Sequence, residues 1–407
     1  MSGPGLRRAA VFPAVLAVLA VLAMWAACAV PPAGAQTVPG AAGAAGEVGA
    51  PGAPGVASEA GAAVSFEPLI RRLVDSGRSE AAMRALFARP EMVFDPEPMS
   101  AKLTELYMSK YGLKLVADIQ KRLAELGYHP WPVDGRLKRL SKWSIRAWQR
   151  HSGLPERAVA TADLLAALRA STAKAPAGLS FPPIEAPSVY ESALTGERLA
   201  EARVFLAANR EMLARVRARY GLPEEVAVGV SAVETRCGRY LGDKPAAVSL
   251  AGMALARDYS LVARTFAHEN PSPDRAAWLA QTARERGDWA YRELTALLDY
   301  AARLGRDPLA MPGSIYGAIG VSQFMPTNAL TLARDGDGDG VADLFNVADA
   351  LESMGNYLNK AGVGGQTSEA ALREALFRYN RSRTYVNTIM AVAAHLRETA
   401  GSGASGP

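Results

Sequence analysis

The chain has 407 residues, 49% of them hydrophobic, and carries 45 Lys and Arg against 40 Asp and Glu for a formal net charge of +5. That length and apolar content suit two or three packed units, and a basicity this mild suits an anionic polymer but does not point to nucleic acid. The only cysteines are Cys28 and Cys237, so no disulfide framework stabilises the chain once its N-terminus is processed.

Arg7 and Arg8 precede an apolar run from Ala9 to Val30, then Pro31, Pro32 and Ala33-Gly34-Ala35. This is the pattern of an export signal over residues 1–35, with cleavage after Ala35. Trp25-Ala26-Ala27-Cys28 also resembles a lipoprotein processing site, with Trp25 where leucine is usual. Lipidation of Cys28 would anchor the product to the outer membrane; cleavage after Ala35 would release it. No later run reaches membrane-spanning length. Residues 36–65 are mostly Ala, Gly and Pro and read as a flexible linker. Residues 66–112 hold short helical patterns such as Leu69, Ile70, Leu73 and Val74, split by Gly77, Pro90, Pro96 and Pro98, and read as a small helical subdomain or an arm packed on a neighbour.

Residues 113–170 show three helices. Leu115, Ile119, Leu123 and Leu126 mark one face, stopped by Gly127; a second helix follows Ser141 with Ile145 and Trp148 inward; a third follows Thr161 with Leu164, Leu165 and Leu168. A Pro-rich connector over residues 171–188 leads to a long helical region, 189–400, and a flexible tail, 401–407. Phe205, Met212, Leu213, Val216 and Tyr220 line one helix that passes through Gly221-Leu222 into the next.

That next helix carries the main chemical signal. Pro223 suits a first helical position, and Glu224 and Glu225 suit the positive end of the dipole. Every position from Val226 to Val233 is apolar or small, and Gly238 offers a stop. Glu234 therefore lies in the last turn, where burial and the negative helix end both keep a carboxyl protonated. Such a group is a general acid, fit for glycosidic cleavage. A buried acid paired with Arg236 or Arg239 fits the same helix. Further on, Gly313 to Thr327 (G-S-I-Y-G-A-I-G-V-S-Q-F-M-P-T) offers Ser314 and Gln323 as neutral hydrogen-bonding groups for sugar hydroxyls and acetamides.

The loop Asp335-Gly336-Asp337-Gly338-Asp339-Gly340-Val341-Ala342-Asp343 places Asp335, Asp337, Asp339 and Asp343 at the first, third, fifth and ninth positions of a calcium loop, with Gly340 at the sixth. Asn346 stands at the twelfth, where a bidentate Glu is usual, which implies weak affinity. The loop reads as a structural Ca2+ site; a solvated Asp-Gly turn is the alternative.

Two resemblances gather these segments. I-Q-K-R-L-A-E-L-G-Y, P-V-D-G-R-L and S-I-R-A-W-Q-R-H-S-G-L resemble the common peptidoglycan-binding domain of cell-wall enzymes, although the loop Pro155 to Ala160 lacks that family's usual glycine. V-E-T-R-C-G-R, G-A-I-G-V-S-Q-F-M-P-T and R-Y-N-R-S, in this order, resemble the lytic murein transglycosylases of the membrane-bound B type. The resemblance implies a mainly α chain, with a lysozyme-like (α+β) catalytic domain beside the three-helix unit, working in the periplasm. It implies cleavage of the bond between N-acetylmuramic acid (MurNAc) and N-acetylglucosamine (GlcNAc) without water, leaving 1,6-anhydro ends. Glu234 becomes acid then base, Ser314 and Gln323 line sugar subsites, Phe324 shapes the groove, and Tyr379 and Asn380 position the scissile region. Arg286 stands for the family's glycan-binding arginines in a stretch, Ala246 to Arg286, longer than in close relatives. Cys237 replaces a frequent aromatic and reads as a buried core thiol. Partners are peptidoglycan glycan strands and other cell-wall enzymes; the chemistry requires no cofactor. A hydrolytic lysozyme and a non-catalytic wall-binding scaffold remain the alternatives. The scattered His129, His151, His268 and His395 form no zinc motif, and Ser231 lacks the second glycine of a nucleophile elbow.

Overall fold

A computed structural model describes residues 64–130, 132–182, 189–363 and 368–402. The export signal, Cys28, nearly all of the linker before residue 64, the end of the Pro-rich connector and the tail from residue 403 lie outside them.

Three helices open the described chain: α1 (Glu67–Asp75), α2 (Glu80–Phe87) and α3 (Glu97–Tyr111). Then come α4 (Lys114–Glu125), α5 (Arg139–His151) and α6 (Ala162–Ala170). Leu123, Ile145, Trp148 and Leu168 are buried in a separate small core formed by α4–α6. Thr161 caps α6 by accepting from Leu164 N–H at 3.1 Å, and Gly127 takes φ 88° to end the α4 turn.

The larger body follows: α7 (Gly196–Ala208), α8 (Arg210–Tyr220), α9 (Glu224–Thr235), α10 (Ala246–Leu255), α11 (Pro273–Leu304), α12 (Pro326–Leu332), α13 (Val347–Lys360), α14 (Glu369–Tyr379) and α15 (Arg383–Ser402). The single helix expected from Phe205 to Tyr220 is two. Asn209 breaks it, because its side-chain amide takes the Phe205 carbonyl at 2.9 Å and competes with the helical ladder. The β component is a two-residue ribbon, β1 (Lys244–Pro245) antiparallel to β2 (Pro312–Gly313), in register Lys244 with Gly313.

Leu69, Leu73, Met99, Leu103 and Tyr107 of α1 and α3 share one apolar cluster with α7–α15. The first three helices thus belong to the larger core, and the α4–α6 unit is inserted between them and α7. At that junction Glu269 accepts from Lys114 N–H at 2.9 Å, meeting an unpaired donor at the start of α4. α9 runs through the centre. Its Gly229 allows close contact with α15, since a Cβ there would lie 2.9 Å from the Ile389 carbonyl.

Candidate active site

The apolar run that buries α9 ends on a carboxylate. Val226 to Val233 are all buried, and Glu234 emerges one residue before the helix stops. The stop comes earlier than Gly238: Arg236 already takes a left-handed φ of 53°. Pro223 sits just before the helix as its N-cap. Burial pushes the Glu234 carboxyl up to about 7, against the lowering effect of one hydrogen bond, from Tyr385 Oη to Oε1 at 2.6 Å. Neither Arg236 nor Arg239 pairs with it. Arg236 is held by Glu201 at 2.6 Å and Glu197 at 3.2 Å, and Arg239 lies 3.9 Å from Glu201. The carboxyl is therefore an acid poised near neutrality with Oε2 unpartnered among the described residues.

Behind it stands an aromatic wall. Tyr379 and Tyr385 stack at 6.5 Å with an 8° interplanar angle, and Tyr357 meets Tyr379 edge-on at 4.8 Å. Phe324 lies 5.5 Å from Tyr357 and is 2% exposed, so it belongs to this aromatic wall. The Tyr379 hydroxyl donates to the Ser322 carbonyl, which ties α14 to the 313–327 loop. Burial, with Glu234 nearby, raises both tyrosines well above their ordinary range, so both remain donors.

The 313–327 loop folds back on itself through bridges from Ile319 to Gly313 and Phe324. Ser314 Oγ accepts from the N–H groups of Tyr316 at 3.3 Å and Ala318 at 3.0 Å. It shapes the loop and leaves only its hydroxyl proton to offer. Gln323 sits at φ 49° with its amide nitrogen on the Gly320 carbonyl at 3.1 Å. A non-glycine residue in that conformation is strained and concentrates at functional sites. Thr235 Oγ1 donates to the Val321 carbonyl at 2.8 Å, joining this loop to the Glu234 helix. Asn380 caps α14; it is buried, and its Oδ1 has no hydrogen-bond partner among the described residues.

Arg286 is not brought to this site by any contact. It lies within α11 with a buried, unpartnered Nε, and no hydrogen bond or ion pair among the described residues joins it to Glu234 or the 313–327 loop. Cys237 is half-buried against the core, not within it as expected, and burial pushes its thiol up to about 12.

The acidic loop differs from its sequence spacing. Asp335 and Asp337 converge with Asp349, their ligand atoms all within 4.8 Å. Asp339 and Asp343 stand outside this group; Asp343 is engaged by Arg306 at 2.8 and 3.3 Å. Asp349 accepts from the backbone N–H groups of Gly336 and Asp343, each at 2.7 Å, and burial leads the effects that raise its carboxyl. An all-oxygen set with one buried acid fits a hard cation such as Ca2+.

A family model described as "Transglycosylase SLT domain" matches residues 185–371, and one described as "Putative peptidoglycan binding domain" matches residues 113–168. Over 169 residues the chain is 30% identical to membrane-bound lytic murein transglycosylase B of Escherichia coli strain K12. Residues 185–371 of this chain are therefore similar to the transglycosylase SLT family, and part of the chain is similar to a lytic murein transglycosylase of the B type. The aligned stretch covers 42% of this chain, which thus spans less than half (40%) of the length of that curated relative. Among solved structures, the Escherichia coli lytic transglycosylase Slt35 in complex with bulgecin A is similar at 16% identity and TM-score 0.48, over 82% of this chain and 93% of that one. Slt35 in complex with calcium is similar at 21% identity and TM-score 0.42, over 51% and 77%.

Sequence reasoning missed Tyr385, Tyr357 and Asp349. Tyr385 lies five residues beyond Asn380, just inside α15, and its role is visible only once α15 packs on α9. Asp349 falls three residues past the twelfth loop position and reaches the loop from the first turn of α13.

Proposed function

We propose that this chain cleaves the β-1,4 bond between MurNAc and GlcNAc in peptidoglycan without water, leaving 1,6-anhydroMurNAc ends. One observation carries the reading. Glu234 is a carboxyl raised by burial to about 7 and held by Tyr385, and no hydrogen bond among the described residues joins it to a second carboxyl. Glycosidases of the usual kind need two, about 5–10 Å apart.

One carboxyl suffices for an internal transfer. Glu234 gives its proton to the glycosidic oxygen as the bond from C1 breaks, and the substrate's own acetamide stabilises the cationic C1. Tyr385, donating to Oε1, stabilises the carboxylate that forms. That carboxylate removes the proton of the C6 hydroxyl, and O6 closes on C1. Glu234 ends protonated, and no atom is added from solvent. Gln323, Ser314 and the free Oδ1 of Asn380 supply neutral contacts for hydroxyls and acetamides, with Tyr379 and Phe324 backing the groove.

The α4–α6 unit supplies wall affinity, and an exported chain meets that wall in the periplasm. Among the described residues no helix is long and apolar enough to cross a membrane, so an outer-membrane attachment would rest on Cys28. Asp335, Asp337 and Asp349 would hold a structural Ca2+, which would pin the loop between α12 and α13 by neutralising their mutual repulsion.

Mass spectrometry of soluble products from purified peptidoglycan tests the reading. Wild type is expected to release anhydro-muropeptides and Glu234→Gln none. Reducing-end products, heavier by one water, would make the chain a lysozyme; no products with retained binding to wall would make it a scaffold.

A further inference from the structure

The residues after Glu234 leave α9 along an unusual path. Arg236, Cys237 and Gly238 take φ of 53°, 58° and 82° in succession, where one left-handed residue suffices to end a helix. Only the glycine accepts that backbone without a Cβ clash. Contacts from outside the turn hold the other two.

On the loop side, Thr235 Oγ1 donates to the Val321 carbonyl at 2.8 Å and accepts from Gly238 N–H at 3.0 Å. On the opposite side stands α7. The Arg236 guanidinium donates from Nη2 to Glu201 Oε1 at 2.6 Å, from Nε to Oε2 at 3.3 Å, and to Glu197 at 3.2 Å. A two-pronged pair of this kind fixes orientation as well as distance. The Glu201 side chain is only 10% exposed, so water competes little for it. On the same helix, Arg198 donates to the Ala232 carbonyl at 2.6 Å, in the last turn of α9 where carbonyls lack helical partners. α7 therefore grips the chain on both sides of Glu234 without pairing with its carboxyl.

We propose that Glu201 and Arg236 are positioning residues for Glu234: their ion pair holds the left-handed turn that fixes where the carboxyl lies. The kinetic consequence rests on the transglycosylase reading; the structural one does not. Tyr385 of α15 hydrogen-bonds Glu234, and Tyr379 of α14 lies close enough to feel its charge. Glu197, Arg198 and Glu201 of α7, with Arg236, Cys237, Arg239 and Tyr240, whose N–H donates to the Thr235 carbonyl, are the charged and titratable groups that the described residues place at the turn. Breaking the pair frees the turn, lets the carboxyl drift from Tyr385 and admits water.

The test compares the mature chain with Glu201→Gln, Arg236→Gln, the double variant and Arg236→Lys. In each single Gln variant kcat is expected to fall about tenfold to hundredfold, since small misplacements at a reacting group have effects of that size. KM and the thermal midpoint change little, the double variant is no worse than either single one, and Lys restores part of the rate. In parallel, a carbon-13 NMR titration of Glu234, assigned against Glu234→Gln, should move down from its midpoint of about 7 in Glu201→Gln, because relief of burial, the larger effect on the group, outweighs the loss of the Tyr385 hydrogen bond. An unmoved titration together with near wild-type kcat overturns the proposal, as does a kcat loss that only tracks the unfolded fraction. If wild type releases no wall products, the transglycosylase reading fails by itself and the titration decides: a lowered midpoint supports the clamp and an unchanged one overturns it.

Discussion

Glu234 holds its proton more tightly in the folded chain than in the unfolded one, because burial pushes its carboxyl up to about 7 from 4.5. Between those values the folded state binds more protons, so stability falls as pH rises through that window, by about 3 kcal/mol in full. Glu234→Gln never charges. Its stability advantage over wild type should be small near pH 4 and approach about 3 kcal/mol at pH 8, as denaturant melts at the two pH values would measure; an equal advantage at both would show that burial is not what raises the group. The same proton sets activity, so kcat/KM should decline above pH 7. Tyr385→Phe removes the one hydrogen bond that favours the carboxylate. The alkaline limb should then move to higher pH while the maximal rate falls about tenfold to hundredfold. A pH–rate profile checks both, and a limb that moves down would assign Tyr385 a different role.

At the scale of elements, the small three-helix unit was legible because each of its helices buries one stripe: the leucines at 164, 165 and 168 and the Thr161 cap fall where periodicity puts them. α9 was legible for the opposite reason, having no polar face until Glu234. What could not be read was contact between elements. Nothing local to Tyr385 distinguishes it from other tyrosines, and the early stop at Arg236 depends on α7, far back in the chain. In the acidic loop the geometry departs from the motif spacing, because Arg306, just past the end of α11, engages Asp343 while Asp349 joins from α13. This gives a discriminating experiment. Millimolar Ca2+ should raise the thermal midpoint of wild type and of Asp339→Asn but not of Asp349→Asn; a response surviving in Asp349→Asn would restore the ligand set implied by spacing.

At the scale of the molecule, the transglycosylase match begins at residue 185, yet the core it needs begins near residue 66. α10 packs on α1 and α3, and Leu73, Met99, Leu103 and Tyr107 are fully buried there. A fragment starting at residue 185 would bare that apolar face. It should elute as aggregate and bind ANS, whereas residues 36–407 should elute as one compact species; a well-behaved shorter fragment would show the first helices to be dispensable. Cys237 extends this view to the chain's motions. In a chain begun at Gln36 it is the only cysteine, it lies in the turn behind Glu234, and burial pushes its thiol up to about 12. Alkylating reagents attack the thiolate, which this half-buried thiol forms more readily when the turn loosens and water reaches it, so the rate of labelling at native pH reports the breathing of the turn. A labelling rate faster than global unfolding would show the site opening alone; equal rates would show that it opens only when the whole body does.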